Sequence, residues 1–441
     1  MLDIKLLRKS PEIVKEGLKK RNADFELVDK VLELDKRRRR LLQELETARA
    51  EVNKRSKAVP DPKEIGELKK IKEKVRILEE EFRLVENELN EVMYHLPNLP
   101  LPDVPAGKTE RDNIILYEVG IDGKKTKTGE SKKREFGFEP KKHWELERGQ
   151  SKSFGTFEII DIRGTAKVSG SRFGSLEGLG VMLEFNLINF TVKRLADKNW
   201  IEKIIKNNKL DVAMKEFIPI IPPVLINEES MRGMGYIDTK EDKEERYFLE
   251  KDRLYLVGTA EQSIGPRHSN DVFEEKDLPV RYLGFSSSFR REAGSYGKDV
   301  RGIMRVHQFD KLEMFSYARP EDSVSEHKFL VAIQEELVKE LGLAYRVVQL
   351  STGDLARPSA STFDIELWFP GLGEYKETHS ASNTTDFQSR RLNIRLRRKS
   401  GELEFVHTLN ATAAAMGRMI LAILENGQTK EGKIKLPAVL K

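Results

Sequence analysis

Apolar positions recur along the first hundred residues with spacings that alternate between three and four. One seam runs Val31, Leu34, Arg38, Leu41, Leu45, Ala48, Val52; a second runs Ile65, Leu68, Ile71, Val75, Leu78, Phe82, Val85, Leu89, Val92, Leu96. Such alternation keeps one stripe facing a partner helix and predicts a coiled coil. Pro60, Pro62 and Gly66 lie between the seams and act as breakers. The pattern predicts an antiparallel helical hairpin over about residues 28–96, with its tip near 56–63. Thirty helical residues reach roughly 45 Å at about 1.5 Å each. A dimerisation coil or a spacer would show the same seams. Residues 96–105 (LPNLPLPDVP) carry four prolines and read as a stiff linker. Beyond it the pattern predicts amphipathic helices over 183–205, 321–341 and 413–426, and alternating strands over 362–369 and 402–409. Strands interleaved with long loops and few βαβ units predict an α+β domain around an antiparallel sheet flanked by helices. The domains are expected at 1–106 and 107–441.

The chain has 441 residues, 78 Lys+Arg against 73 Asp+Glu, and no cysteine. The length suggests more than one domain with a sizeable core. The missing thiols exclude disulfide scaffolds, thiolate zinc sites, iron–sulfur clusters and cysteine nucleophiles. No apolar run approaches the roughly 18 residues of a membrane span, and MLDIKLLRKS lacks a signal-peptide core, so a cytoplasmic protein is expected. The net charge of +5 hides an asymmetry: residues 36–57 hold nine basic and three acidic side chains. A basic helix of this kind suits a phosphate-bearing partner.

Familiar phosphate loops are missing. Gly107-Lys108-Thr109 has Pro102 where a P-loop needs its leading glycine, and no G-x-G-x-x-G follows a strand. H-E-x-x-H, G-x-S-x-G and C-x-x-C are also absent. A nucleotide enzyme built from this chain must grip phosphate with arginine side chains, whose planar forks match phosphate geometry. Arg290 and Glu292, after an expected strand over 281–286, are suited to this, since alternation with period two puts them on one face of a strand. A glycine-rich loop (Gly294, Gly297, Gly302) separates them from a returning strand carrying Arg305 and Phe309.

Several segments then fall into one order. They are Val257-Gly258-Thr259-Ala260-Glu261, FRREAG with RGIMRVHQF, and Tyr375 through Asn383 (YKETHSASN) with DFQSRR behind it. Last comes His407-Thr408-Leu409-Asn410-Ala411-Thr412 with Met416-Gly417-Arg418. Together they resemble the class II aminoacyl-tRNA synthetases and, more narrowly, the seryl-tRNA synthetases. MLDIKLLR, the hairpin, HWEL at 143–146 and AKVSGSRF at 166–173 extend the resemblance over essentially the whole chain.

The resemblance implies a ligase that forms seryl-adenylate from L-serine and ATP and passes the seryl group to serine tRNA; selenocysteine tRNA is left open as a second acceptor. It implies Arg290 and Arg418 as catalytic residues, with Arg290 on the α-phosphate and reaching serine, and Arg418 stacking on adenine opposite Phe309. Glu292 would take the adenine amino group and Arg305 the β- and γ-phosphates. Arg291, Val306, Thr378 and His379 would be further ATP neighbours, and Glu377 with Ser380 the Mg2+ position. Thr259, Ala260, Glu261, Glu313, Asn410 and Thr412 would hold serine. The segment from 183–210 into Phe217–Val224 matches the family's dimer-forming motif, implying a homodimer whose arm reaches tRNA on the other subunit. Three positions depart from the pattern: Gly258 replaces a common proline, His379 interrupts Glu-Ile-Ser-Ser, and Ala411 adds a methyl that would narrow the serine pocket or shift the start of the following helix. A paralogue that loads a carrier protein usually lacks the arm, and a non-catalytic regulator would have lost Arg290, Glu292 or Arg418.

Overall fold

The computed structural model describes residues 1–56, 62–146, 159–293 and 302–441. Most of the expected hairpin tip, and Gly294 and Gly297 of the glycine-rich loop, therefore lie outside the described residues. Contacts divide the chain into two compact units, Met1–Leu99 and Pro100–Lys441. The division falls within the proline-rich stretch, and residues 100–106 go with the second unit: Leu101 N–H donates to Ala360 O (2.8 Å), and Thr352 N–H to Pro105 O (2.9 Å).

In the first unit, α1 (Ile4–Lys9) and α2 (Pro11–Lys20) precede the two arm helices, α3 (Leu27–Arg55) and α4 (Pro62–His95). The expected seam is the buried stripe. Val31, Leu34, Leu41, Leu45 and Ala48 of α3 are buried, as are Leu78, Val85, Leu89 and Val92 of α4. Toward the tip the seam opens, and Ile65 is 53% exposed. Gly66, read as a breaker, lies exposed inside α4; a single glycine in a helix costs only about 1 kcal/mol, too little to end one. Ion pairs cross the hairpin at Lys30–Glu88 (3.2 Å) and Arg49–Glu79 (2.8 Å). Asp35, buried at the base, takes a two-pronged contact from Arg8 (2.7 and 2.5 Å) and a third from Arg39 (3.0 Å).

The second unit is built on a nine-stranded sheet. Its strands are β1 (Ile114–Val119), β2 (Lys125–Thr126), β3 (Ile218–Ile220), β4 (Val280–Phe289), β5 (Gln308–Ala318), β6 (Tyr345–Gln349), β7 (Ser361–Phe369), β8 (Glu374–Asn383) and β9 (His407–Ala415). They lie in the order β2-β1-β6-β7-β8-β9-β5-β4-β3, antiparallel throughout except for the parallel β3–β4 pair. Four helices pack into the core on one face: α5 (Leu179–Leu195), α6 (Lys198–Asn207), α7 (Ser323–Glu340) and α8 (Met416–Asn426). Alternation along β5 separates the two faces. Leu312 and Met314 join the helix-side core, while Phe315 and Tyr317 join a second cluster with Ala260 and Ile264.

Three expected elements differ. The helix over 183–205 is two helices, because Asp197 caps α6 by accepting from Asn199 N–H (2.9 Å). Residues 413–415, read as helix, end β9, and α8 begins at Met416. The strand over 402–409 divides between Leu403–Phe405, in a small sheet with Arg395–Arg397, and β9. A period of two continues through such a change of sheet, so alternation does not reveal it.

On the helix side Arg281 and Glu326 form a buried fork-to-fork pair, both contacts 2.7 Å. Arg281 also donates to Ala213 O and Lys215 O, and Ser316 donates to Glu326. Arg281→Met leaves a carboxylate buried without its cation and should cost about 3–5 kcal/mol in urea unfolding. Adding Glu326→Leu should recover most of that loss; equal stability of Arg281→Met and wild type would contradict this account.

Candidate active site

The sheet face opposite the helices carries the site. Because β5 alternates, Phe309, Lys311 and Glu313 point the same way, next to Thr412 of β9, which pairs with Glu313. On β8 the register passes from His379 opposite Ile365 to Glu377 opposite Glu366, leaving Thr378 as an extra residue. This bulge turns Glu377 to the same side as Ser380, three positions on, which strict alternation forbids.

One end of the cleft is lined by Arg290, Glu292, Arg305, Phe309, Glu377 and Arg418, with Val306 and Thr378 beside them. The Arg290 guanidinium lies 5.3 Å from the Phe309 ring centre, and its Nε donates to Gly258 O (3.2 Å). Arg418 spans the mouth: Nη1 reaches Glu377 O (2.9 Å) and Glu377 Oε2 (3.1 Å), and Nε reaches Met304 O (3.4 Å). Partial burial draws the Glu377 carboxyl upward, but Arg418, Arg290 and Arg305 outweigh it and its pKa lies below the usual value. Asp364, across from Ser380, is pushed well above the carboxylate range by burial and by Glu377.

The other end holds two buried carboxylates, Glu261 and Glu313. Glu261 opens a short helix (Glu261–Ile264) just after the strand Leu254–Leu256, and Tyr236 donates a short hydrogen bond to it. Burial and the charge of Glu313 push Glu261 up to about 7, against the pull of Lys311, Tyr236 and Arg290. Burial also raises Glu313, opposed by Lys311, whose Nζ is 2.6 Å from Glu313 Oε2. The Thr259 hydroxyl is buried with no hydrogen-bond partner among the described residues, as is the Arg246 Nε. Asn410 stands on β9 opposite Phe315 and Ser382, on the same side as Thr412.

Several sequence-based placements change. Arg290 and Glu292 do not share a strand face: β4 ends at Phe289, and Glu292 is in the left-handed region at φ 51°. Glu292 is held instead by Arg172, which donates to its carbonyl (3.1 Å), and lies 3.6 Å from Arg305. Arg291 points out of the cleft, over the Tyr247 ring (4.7 Å) with Nε donating to Arg246 O. The Ala260 methyl is core, beneath Gly284, where an added Cβ would come within 2.9 Å of it; only the Ala260 backbone can face a ligand.

His379 is buried on the other side of β8, bonded to the Thr378 hydroxyl (2.8 Å), and burial lowers its pKa to about 4. Ala411 likewise faces the helix-side core, so its methyl narrows nothing in the cleft. Gly258 retains an N–H that donates to Gln262 Oε1 (2.8 Å), a bond proline could not make. Sequence reasoning missed Lys311, Tyr236 and Arg246. Lys311 was within reach, two positions before Glu313 on an expected strand; nothing local marks the other two.

An antiparallel sheet with arginines on a strand end and on the following helix is the architecture of a class II aminoacyl-tRNA synthetase, and residues 246–427 match the family model for the "tRNA synthetase class II core domain (G, H, P, S and T)". Residues 1–100 match that for the "Seryl-tRNA synthetase N-terminal domain". The chain is 40% identical over 453 residues to a serine–tRNA ligase of Petrotoga mobilis, covering 100% of this chain and 98% of that one. It is 38% identical to a serine–tRNA ligase of Thermodesulfovibrio yellowstonii, covering 100% and 98%. The seryl-tRNA synthetase of Pyrococcus horikoshii complexed with ATP superposes with a TM-score of 0.85 at 37% identity, covering 100% and 97%. The chain belongs to the seryl-tRNA synthetase family and is an aminoacyl-tRNA ligase.

Proposed function

We propose that this ligase activates L-serine with ATP, releasing pyrophosphate, and transfers the seryl group to the 3′ end of serine tRNA. The observation that carries the site reading is Arg290. One guanidinium touches both Phe309 and the Gly258 carbonyl of the T-A-E segment, and so stands at the junction of the arginine-lined and carboxylate-lined ends. A serine carboxylate attacking the α-phosphorus in line needs positioning and charge neutralisation at that junction, and no general base, since it is already ionised near pH 7. Arg290 takes the α-phosphate, Phe309 and Arg418 enclose the adenine, Glu292 accepts from its amino group, and Arg305 meets the outer phosphates. Exchange of pyrophosphate into ATP, driven separately by serine, threonine, alanine and glycine, tests the reading; a preference for any amino acid but serine would overturn it.

Mg2+ fits Glu377 and Ser380, brought to one side by the bulge at Thr378, with Asp364 behind Ser380 carrying a buried oxygen that lacks a hydrogen-bond partner among the described residues. No cluster of three or more acidic or histidine side chains suited to a metal occurs among the described residues. A hard cation of this kind commonly arrives with phosphates and keeps several waters. When bound, it would neutralise phosphate charge.

Glu313 and Thr412, partners across β5 and β9, would hold the serine hydroxyl. Thr412→Val should raise the serine KM about tenfold, the worth of one hydrogen bond to a charged group, with ATP KM unchanged. A rise in ATP KM instead would put Thr412 in the wrong half of the site. The serine ammonium needs Glu261 ionised. With that carboxyl raised to about 7 in the free pocket, binding below neutrality must expel a proton, so serine affinity should fall about tenfold per pH unit below about 7 and level off above. Calorimetry in buffers of different ionisation enthalpy checks this; a flat profile from about pH 5.5 to 8 would contradict the assignment.

A homodimer is favoured by the apolar residues that α5 and the segment around β3 leave bare, notably Phe185 (63% exposed) and Ile221 (81%). The arm is assigned to serine tRNA, whose charging we place in the cytoplasm; selenocysteine tRNA is a further acceptor to test. Among the described residues no helix is long and apolar enough to cross a membrane.

A further inference from the structure

Lys311 and Tyr236 have no part in the reaction as outlined, yet each holds one of the two buried carboxylates. The Lys311 side chain is 8% exposed and that of Glu313 2%, with Nζ 2.6 Å from Oε2. Tyr236 comes from the other side of the pocket. It directly follows Gly235, whose left-handed φ of 86° ends the helix Glu228–Met234 and turns the chain toward Glu261. The Arg246 guanidinium lies 5.3 Å from the Tyr236 ring centre. Burial and Glu261 raise the Tyr236 phenol well above its usual pKa, so at neutral pH it remains a donor.

The two supports differ in charge. An ammonium at contact distance neutralises Glu313, which can then accept a hydrogen bond without strongly attracting a second cation. A phenol fixes the direction of Glu261 and brings no charge of its own; Lys311 and Arg290 draw on Glu261 without an ion pair to it among the described residues, so it can still take a ligand ammonium. A pocket with two equivalent carboxylates would let an amino acid bind in two orientations.

We propose that Lys311 and Tyr236 are positioning residues that give the two carboxylates separate tasks: Lys311 reserves Glu313 for the substrate hydroxyl, and Tyr236 presents Glu261 to the substrate ammonium. The inference rests on the serine-activating reading above and adds the source of its selectivity. Alanine has the ammonium and lacks the hydroxyl, so the two supports respond differently to it.

The test is pyrophosphate exchange with serine and with alanine, using full-length wild type, Lys311→Met, Lys311→Arg and Tyr236→Phe, alongside the thermal midpoint of each. Tyr236→Phe should raise KM for both amino acids in parallel, roughly tenfold, leaving the serine-to-alanine preference intact. Lys311→Met should lower that preference roughly tenfold or more, and Lys311→Arg should restore most of it. ATP KM should stay within about twofold in Tyr236→Phe, whereas Lys311 lines the same cleft as Arg290, Phe309 and Arg418, so for its variants the serine-to-alanine preference is the deciding readout. An unchanged preference in Lys311→Met, an unchanged serine KM in Tyr236→Phe, or an ATP KM that rises with it would overturn the proposal. If Lys311→Met does not fold, Lys311→Gln replaces it under the same criteria. Wild type without serine-dependent exchange would overturn the serine reading itself, an outcome separate from all the variant comparisons.

Discussion

Arg290→Ala should lower serine-dependent pyrophosphate exchange roughly a hundredfold to a thousandfold while the protein stays folded, and Arg418→Ala should do nearly the same. The magnitude follows from removing one preorganised charge contact to a transition state, worth about 3–4 kcal/mol. Both side chains are held before any ligand binds, Arg290 by the Gly258 carbonyl and Arg418 by Glu377 and the Met304 carbonyl, so little reorganisation is needed at the moment of reaction. Neither is an anchor of the helix-side core, so thermal midpoints should move little. The two losses should differ in kind. Arg290 joins both halves of the cleft, and its removal should depress kcat; Arg418 flanks the nucleotide, and its removal should also raise ATP KM. Near-normal exchange in Arg290→Ala would refute the arrangement of the whole site.

Transfer to tRNA should fail separately from activation. The arm's cations are not equivalent. Arg39 is spent on Asp35 (3.0 Å), Arg38 lies near Glu86 (3.6 Å) and Arg40 near Glu44 (3.7 Å), whereas Lys36 and Arg37 are exposed with no ion pair among the described residues. A free cation gives up no protein partner to meet a phosphate. Replacing Lys36 and Arg37 with glutamate should therefore weaken tRNA binding at least about tenfold, and the slope of log affinity against log salt should shrink by about 1.8, near 0.9 for each lost phosphate contact. Pyrophosphate exchange should be untouched. Removing the arm should abolish most tRNA charging and spare adenylate formation. Full charging by an armless protein at physiological salt would reduce the hairpin to a spacer or partner coil.

The sequence carried the arm almost completely. A three-four spacing is a local property of the chain, and the stripe it marks, from Val31 through Ala48, is the one buried in α3. Arg290, Glu292, Arg305, Glu377 and Arg418 of the cleft could likewise be named from their order along the chain, whereas Lys311 and Arg246 were not. Their placement was not legible. Arg290 and Glu292, two apart, looked like neighbours on a strand, yet the chain leaves the strand between them and Glu292 takes a left-handed φ held from outside by Arg172. Glu377 and Ser380, three apart, should face opposite ways, and a bulge at Thr378 brings them together. That bulge is set by pairing with β7, to which the residues around Thr378 give no clue. His379 and Ala411, which looked like changes to the site, belong to the core beneath it for the same reason: which side a strand residue faces is fixed by register, and register is decided by the neighbouring strand and the helix layer. Tyr236 and Glu261, twenty-five residues apart, meet only because a left-handed turn at Gly235 redirects the chain. By itself the sequence determined the chemical groups available and the periodicity of the elements that carry them. Only the tertiary structure decided which groups face the same cavity, because that depends on contacts between segments far apart in the chain, and no local spacing encodes them.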